Sequence, residues 1–391
     1  MRFTSETGVG EGSGREARRC SADVRPARRQ AFFVALALGM VVLLAIPAGL
    51  VAKEKGKRKN AAAAPVDLVW PAPPQQPRVR YLGLISSPDD VKEKKNKSSW
   101  MDRVAGVKQE STRLRLQKPY GIAVDSTGRI FVADPANRTV FVFDQANHAV
   151  ELRGNRAPAS FALPMGLAID EQDRLFVSDS HFAQITCFDR EGAVLAVFGH
   201  DTLQRPAGMA VDRARHRLYV ADAKAHRVAV FDSVEFRPAG FVGGPATPGE
   251  AEEGKFAAPT NVAVDREGLL YVTDTWNHRI QIFNPRGKFL RTFGRQGDAP
   301  GMFARPKGVA IDSEGHIYVA DAEFNNIQVL TPEGRPLLAI GGLGYGPGQF
   351  TLITGLAFDQ QDRLYAAEQW QGRVQIFQYL PEKPPVAKAA Q

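Results

Sequence analysis

Residues 259–283 read Pro259-Thr-Asn-Val-Ala-Val-Asp265, then Leu270-Tyr-Val-Thr-Asp274, then His278-Arg-Ile-Gln-Ile-Phe283. Residues 306–330 repeat that order closely, as Pro306-Lys-Gly-Val-Ala-Ile-Asp312, Ile317-Tyr-Val-Ala-Asp321 and Asn325-Asn-Ile-Gln-Val-Leu330. The acidic residue that ends the second apolar run identifies six such units: Asp134, Asp179, Asp222, Asp274, Asp321 and Glu368. Subtracting neighbouring residue numbers gives periods of 45, 43, 52, 47 and 47 residues. A period in this range with several short strands per unit is typical of a β-propeller.

Each unit contains short apolar runs with the composition of β-strands, and the fourth unit contains four of them. In the fourth unit, Gly, Pro, Asn and Asp separate the runs and β-branched or aromatic residues fill them. Within Arg279–Phe283, Ile280 and Ile282 alternate with Arg279 and Gln281, which predicts one face against the neighbouring blade. The sequence therefore predicts an all-β fold, a six-bladed propeller with four-stranded antiparallel blades.

The two ends of the repeat region predict how the ring closes. The sixth unit supplies three strands and then runs into Pro381, so its fourth strand is missing there. An isolated strand pattern, Arg78-Val-Arg-Tyr-Leu-Gly-Leu-Ile85, precedes the first unit. We expect this strand to complete the last blade and remove a free edge.

The repeats resemble those of the NHL family, whose Asn-His-Leu-type turn appears here as Asn277-His278-Arg279-Ile280, Ala225-His226-Arg227-Val228 and Asn325-Asn326-Ile327. The resemblance covers residues 116–377, and Arg138, Ala183 and Gly372 depart from it at the histidine position. It implies a six-bladed propeller of a membrane-anchored, extracytoplasmic bacterial type. It leaves the activity open, because the family includes lyases, RNA binders, and sensor or adaptor domains.

The segment before the propeller predicts a membrane tether. Residues 1–30 form a basic tail, and Ala31–Ala52 contains 22 residues without a charge, enough for a transmembrane helix or signal anchor. A cleaved signal peptide is the alternative. Residues 53–77 are a basic and then Pro/Ala-rich linker, residues 78–380 the propeller, and residues 381–391 a C-terminal tail. We expect a single-pass protein of the inner membrane with the propeller on the periplasmic side.

A basic insertion follows the closing strand over residues 92–115. Trp100, Val104 and Val107 share one face of a predicted short helix over residues 99–108, with Ser99 as the N-cap. This helix either packs on the side of the propeller or touches anionic headgroups.

Charge and cysteine content exclude two classes of protein. Residues 1–115 carry 22 basic and 11 acidic side chains, whereas residues 116–380 carry 26 basic and 30 acidic ones. The overall charge of +8 therefore lies beside the membrane segment, and the propeller lacks the basic footprint of a nucleic-acid binder. Cys20 and Cys187 lie on opposite sides of the predicted membrane span, so we expect no disulfide framework.

Residues that recur in every unit are interpreted as structural. His226 and His278 each follow the second-strand aspartate by four residues, which predicts a turn rather than a ligand set. A second recurring set ends the inner strands: Asp125, Asp170, Asp212, Asp265, Asp312 and Asp359. Such a ring would be able to hold a cation, but turn capping is the simpler interpretation. We predict no metal site, no cofactor and no catalytic set.

Residues that vary between units are the candidates for binding. The turns after the second strand place aromatic side chains on consecutive blades. Exposed aromatic residues of this kind mark interaction surfaces, and the alternative is that each ring folds onto its own loop. The predicted ligand- or partner-binding residues are Tyr120, His181, Phe182, Trp276, Lys307, Phe324 and Trp370. The sequence thus predicts a non-catalytic module that binds a protein or peptide, with a glycan or small molecule as other possible ligands. The alternative is a metal-dependent propeller enzyme of lyase or lactonase type.

Overall fold

The computed structural model describes residues 67–92, 114–157, 159–247 and 252–381. The predicted tail over residues 1–30, the predicted membrane segment Ala31–Ala52, residues 53–66 and the helix predicted over residues 99–108 lie outside those ranges, as does the chain after Pro381. Among the described residues, none belongs to a helix with the length and apolar character of a membrane span.

Six antiparallel sheets form the six blades of a propeller, so the predicted all-β fold is confirmed. The inner strands are Ile122–Val124, Pro164–Ile169, Pro206–Asp212, Pro259–Val264, Pro306–Ile311 and Ile353–Phe358. The second strands are Ile130–Asp134, Leu175–Asp179, Arg217–Asp222, Leu270–Asp274, Ile317–Asp321 and Arg363–Glu368. The third strands are Thr139–Asp144, Gln184–Phe188, Arg227–Asp232, Arg279–Phe283, Asn326–Leu330 and Arg373–Tyr379. The outer strands of blades 1 to 5 are Ala149–Arg153, Val194–Phe198, Pro238–Val242, Phe289–Phe293 and Pro336–Gly341.

Three small elements accompany the blades. Asn155–Arg156 and Ala159–Ser160 form a two-stranded ribbon after blade 1. Single turns of 3₁₀-helix occupy Pro88–Asp90 and Thr275–Asn277.

The N-terminal strand closes the ring as predicted. Val79–Ile85 pairs antiparallel with Arg373–Tyr379, in a register that sets Val79 opposite Tyr379 and Ile85 opposite Val374. A fifth strand, Val69–Trp70, pairs with the outer side of the closing strand. The Trp70 ring meets that of Phe377 edge-on, with 5.7 Å between the centroids. Blade 6 therefore has one strand more than the other blades.

The hydrophobic core consists of clusters that each lie between two neighbouring blades. Between blades 4 and 5, for example, Tyr271, Ile280 and Ile282 pack against Val309 and Val319. Each blade thus buries both of its faces, which is why its stability depends on its neighbours. The sequence interpretation that only one face of Arg279–Phe283 is buried is therefore incomplete, because all five residues of that strand are buried.

Glycines near the start of the inner strands let adjacent blades approach closely. A Cβ atom on Gly355 would lie 2.1 Å from the carbonyl oxygen of Tyr120, across the junction of the last and first blades. A Cβ atom on Gly121 would lie 2.3 Å from the carbonyl oxygen of Met165 in blade 2. Any larger residue would force these inner strands apart, because real Cβ atoms do not approach backbone so closely.

Candidate binding face

The inner-strand aspartates cap turns. Oδ1 of Asp125 accepts hydrogen bonds from the backbone N–H groups of Thr127 at 3.0 Å and Arg129 at 2.8 Å. Its Oδ2 accepts from Nε of Arg129 at 2.6 Å. In blades 4 to 6 a second-strand tyrosine hydroxyl also donates to this carboxylate, as Tyr271 does to Asp265 at 3.0 Å. The geometry supports the capping interpretation, because the carboxylate oxygens accept hydrogen bonds from groups of their own turn.

The carboxylates that end the second strands hold the loop that enters the same blade. Oδ2 of Asp134 accepts from the backbone N–H of Gln117 at 2.6 Å. Oε1 of Glu368 accepts from that of Thr351 at 2.9 Å, and its Oε2 from Nε of Arg373 at 2.6 Å. These carboxylates are fully buried. Each carboxylate accepts hydrogen bonds from backbone N–H groups that have no other partner in the turn and would otherwise need water.

The turns between second and third strands and the loops that enter the inner strands thus meet on one side of the ring, which we call the loop face. His278 connects blades there, since its Nδ1 lies 2.7 Å from the carbonyl oxygen of Ala304 in blade 5. His226 is equivalent, and its Nδ1 accepts from the backbone N–H of Ala258 at 3.0 Å. Both residues have a left-handed backbone, with φ of 53° and 52°. Their role in the described structure is therefore structural, as the sequence indicated.

Two of the predicted aromatic residues extend from the loop face into solvent. Trp276 is 74% exposed and Trp370 is 73% exposed. Phe324, in the turn of the blade between them, is half-buried. His181 and Phe182 are exposed on blade 2, and their rings pack together with 5.1 Å between centroids. The chain thus presents aromatic surface on blades 4 to 6, and a separate aromatic pair on blade 2.

A groove beside Trp370 contains two exposed apolar residues that the sequence reasoning missed. Leu343 is 73% exposed and Tyr345 is 68% exposed, in the loop that enters blade 6. They line a cavity of about 360 Å³ together with Trp370, Arg305 and Glu323. The loop reads Gly341-Gly-Leu-Gly-Tyr-Gly-Pro-Gly348, and the apolar residues set between its glycines were the available signal.

The remaining two predicted residues, Tyr120 and Lys307, lie at the mouth of the central channel on the loop face. Tyr120 is 6% exposed and Lys307 is half-buried. Nζ of Lys307 lies 5.7 Å from the centroid of the Tyr120 ring. Burial raises the pKa of Tyr120 to about 12. Burial, and then the positive charges of Arg305 and Arg205, hold the pKa of Lys307 below its usual value. The seven predicted residues therefore form three groups rather than one site.

The opposite end of the channel holds a cavity of about 260 Å³. Its acidic lining includes Asp265, Asp312 and Asp359, which are turn-capping residues. Within the described ranges, no three His, Cys, Asp or Glu side chains are grouped as a metal ion would require.

Comparison with known proteins identifies the repeat. A family model of the NHL repeat matches residues 203–231, 256–283 and 303–330, which cover most of blades 3 to 5. Protein brain tumor of Drosophila melanogaster is 49% identical over 45 residues, 12% of this chain and 4% of that protein. NHL repeat-containing protein 2 of Homo sapiens is 32% identical over 93 residues, 22% of this chain and 13% of that protein. The chain thus spans a small part of the length of these curated relatives.

A streptogramin B lyase structure superposes with a TM-score of 0.51 at 12% identity, covering 68% of this chain and 94% of that one. At that identity the likeness concerns the fold alone. The chain accordingly contains NHL repeats in blades 3 to 5 of a six-bladed β-propeller.

Proposed function

We propose that this chain is a membrane-tethered propeller that binds a protein or peptide on its loop face, without catalysis. The observation that carries the proposal is the groove beside Trp370, where Leu343 and Tyr345 expose apolar surface together with the tryptophan. Large exposed aromatic residues around a polar-rimmed groove are typical of interaction surfaces. The Arg305–Glu323 ion pair at 2.9 Å supplies polar groups at its edge.

The turns of adjacent blades extend this surface. Trp276 occupies in blade 4 the position that Trp370 occupies in blade 6, with Phe324 between them in blade 5. An extended peptide laid across three blades would meet the three rings in order. Peptide side chains would fill the groove, and the rim would provide hydrogen bonds to the peptide backbone.

Site-specific photocrosslinking tests this proposal. A photoreactive phenylalanine analogue at position 370 of the full-length protein should capture a partner in cells, whereas the same analogue at Leu290, 43% exposed on an outer strand, should not. With the captured partner purified, Trp370→Ala should weaken binding by about 2 kcal/mol or more, and Leu290→Ala should leave it unchanged. Equal affinity of both variants would overturn the assignment of the binding face.

A metal-dependent enzyme of lyase or lactonase type is the second candidate, and the fold likeness to a lyase motivates it. The carboxylates along the inner strands favour binding over this alternative, because their oxygens accept hydrogen bonds from their own turns. Metal analysis of the purified protein separates the two. Stoichiometric calcium or zinc whose removal abolishes an activity would favour the enzyme.

The tether is proposed from Ala31–Ala52 and the linker that follows it. A membrane anchor would tether the propeller to the extracytoplasmic side of the bilayer. Reporter fusions after Gln391 should be active only outside the cytoplasm, and the protein should stay with membranes after a carbonate wash. A cytoplasmic reporter signal would reverse the orientation, and release of a shortened form would show cleavage.

A further inference from the structure

The mouth of the central channel on the loop face carries an uneven distribution of charge. The loop that enters the inner strand carries a basic residue in blades 1, 3 and 5, as Lys118 before Pro119, Arg205 before Pro206 and Arg305 before Pro306, and the corresponding residue is uncharged in the other blades. Two positions further along, blade 5 supplies Lys307. Alternate blades of the ring therefore place a basic residue in the loop that enters the inner strand, on the loop face.

Side chains of non-adjacent blades meet at this opening. Lys307 belongs to blade 5 and Tyr120 to the start of blade 1, yet Nζ lies 5.7 Å from the ring centroid. Blade 6 separates these blades, and Oγ1 of its Thr354 lies 3.2 Å from the carbonyl oxygen of Pro119. The contact is therefore made across the channel mouth, beyond the inner strand of blade 6.

Three donors at the mouth have no acceptor. Within the described residues, the Lys307 amine has no carboxylate within ion-pair distance, and neither the Tyr120 hydroxyl nor the Arg205 guanidinium makes a hydrogen bond. The nearby Asp222 carboxylate is already used by the backbone, accepting from the N–H of Arg205 at 2.8 Å. Arg305 is paired with Glu323 at 2.9 Å.

Neither Nζ of Lys307 nor the Tyr120 hydroxyl is among the fully enclosed polar atoms without a partner in the described residues, so both groups reach the channel, where a bound anion would accept their hydrogen bonds. Arg205 precedes the inner strand of blade 3 on the same loop face and is exposed, so its guanidinium is available to a ligand at the opening.

We propose that Tyr120, Arg205 and Lys307 form an anion-binding site at the channel mouth that accepts a carboxylate or phosphate group. The lysine and the arginine supply charge, and the tyrosine donates one oriented hydrogen bond. The site adds an anionic group to the ligand of the loop face, and to that extent it rests on the proposed function. The aromatic groove takes no part in binding a small anion, so the two proposals fail separately.

Calorimetric titration of the full-length protein at low ionic strength, where screening is weak, tests the site. The probes are inorganic phosphate and malonate. The probe that binds with the higher affinity shows whether the site prefers a phosphate or a carboxylate group. Lys307→Met should weaken binding roughly tenfold or more, because a charged hydrogen-bond donor is lost. Tyr120→Phe should weaken it several-fold while keeping the ring. Lys288→Met, in an exposed turn of blade 4, is the matched control and should bind like the native protein.

The melting temperature of each variant shows whether it is folded. If Lys307→Met does not fold, the anion affinities of Tyr120→Phe and Arg205→Met test the site instead. Native affinity in both of these variants would overturn the proposal. Absence of saturable binding in the native protein overturns it as well. If the anions do not bind but the photocrosslink at position 370 forms, the loop face binds its partner without this site.

Discussion

Residues that recur around the ring and residues that do not have different roles in this protein. The recurring Asp125 and Asp134 both accept hydrogen bonds from backbone N–H groups. Asp125 does so within its own turn, and Asp134 does so in the loop that enters the blade. By contrast, Trp276, Trp370 and Tyr345 have no counterpart in most blades and are exposed. Residues that recur in every blade therefore stabilise the blade, whereas residues found in only a few blades form the exposed surface of the loop face.

Alanine substitutions should separate these roles by stability. Phe283→Ala, at a side chain 1% exposed between blades 3 and 4, should lower the free energy of unfolding by about 3–5 kcal/mol. Trp276→Ala, at a side chain 74% exposed, should change it by about 0.5 kcal/mol or less. Urea denaturation measures both. A Trp276→Ala variant as unstable as Phe283→Ala would show that the tryptophan belongs to the core.

His316 gives blade 5 a histidine contact to the inner-strand aspartate of its own turn. Its Nδ1 lies 2.9 Å from Oδ2 of Asp312, where blade 1 has Arg129 on Asp125 at 2.6 Å. The hydrogen bond to Asp312 raises the pKa of His316 above its usual value, and burial opposes this. A raised pKa in the folded state means that the imidazolium stabilises the protein at low pH, and that this stability is lost as pH rises through the folded-state pKa.

His316→Arg should therefore remove part of the pH dependence of stability. Between about pH 6 and pH 8 the native protein should lose up to about 1 kcal/mol that the variant retains, because arginine stays charged. The measurement is the urea midpoint of both proteins at several pH values. His200→Arg, at an exposed side chain beside Asp201, is the control and should follow the native profile. Parallel profiles for His316→Arg and native protein would contradict the prediction.

At the scale of single elements, the third strands of blades 4 to 6 each hold the long loop that enters the blade. The residue responsible is a buried glutamine at the third position of the strand, Gln281, Gln328 or Gln375. Oε1 of Gln328 accepts from the backbone N–H of Gly301 at 2.8 Å, and its Nε2 donates to the carbonyl oxygen of Met302 at 2.7 Å. A buried amide thus pairs one backbone donor and one acceptor of a loop that makes few ladder bonds.

Gln328→Leu should destabilise the protein by about 1–3 kcal/mol, because two backbone groups of the loop lose their partners while the side-chain volume stays similar. Gln360→Leu, in an exposed turn, should have little effect. Comparison of the two by chemical denaturation tests the role of the amide. Equal stability of the two variants would mean that water replaces the glutamine in the loop.

Sequence predicted the ring, its strands and its closure, because the repeat period, the turn residues and the strand composition are local properties. It did not predict the role of Gln328, because alternation along one strand does not reveal that a blade is covered on both faces. It selected Tyr120 and Lys307 as surface residues but not their contact, which exists only because the ring brings blades 1 and 5 together across the channel. The apolar residues of Leu343–Tyr345 stand among glycines, without a periodic pattern to interpret.

At the scale of the whole molecule, stability depends on closing the ring. Each blade packs between two others, so an incomplete last blade would expose apolar surface and an unpaired strand edge. The closing strand contributes Val79 and Ile85, both 1% exposed, to the cores on the two sides of blade 6. The additional strand Val69–Trp70 covers the outer edge of the closing strand and packs its tryptophan on Phe377.

Removing these strands one at a time should therefore lower stability in unequal steps. A protein that begins at Asp67 retains both strands and should melt like the native one. A protein that begins at Arg78 loses only Val69–Trp70 and should melt slightly lower. A protein that begins at Ser86 also loses the closing strand, and with it the buried Val79 and Ile85, worth about 1.5–3 kcal/mol each. Its melting temperature should fall by at least a further 5 °C or so, with aggregation through the exposed third strand of blade 6.

If the proteins that begin at Arg78 and Ser86 melt within a degree or two of each other, pairing between the chain ends does not hold the ring closed. The packing between blades would then have to supply closure by itself.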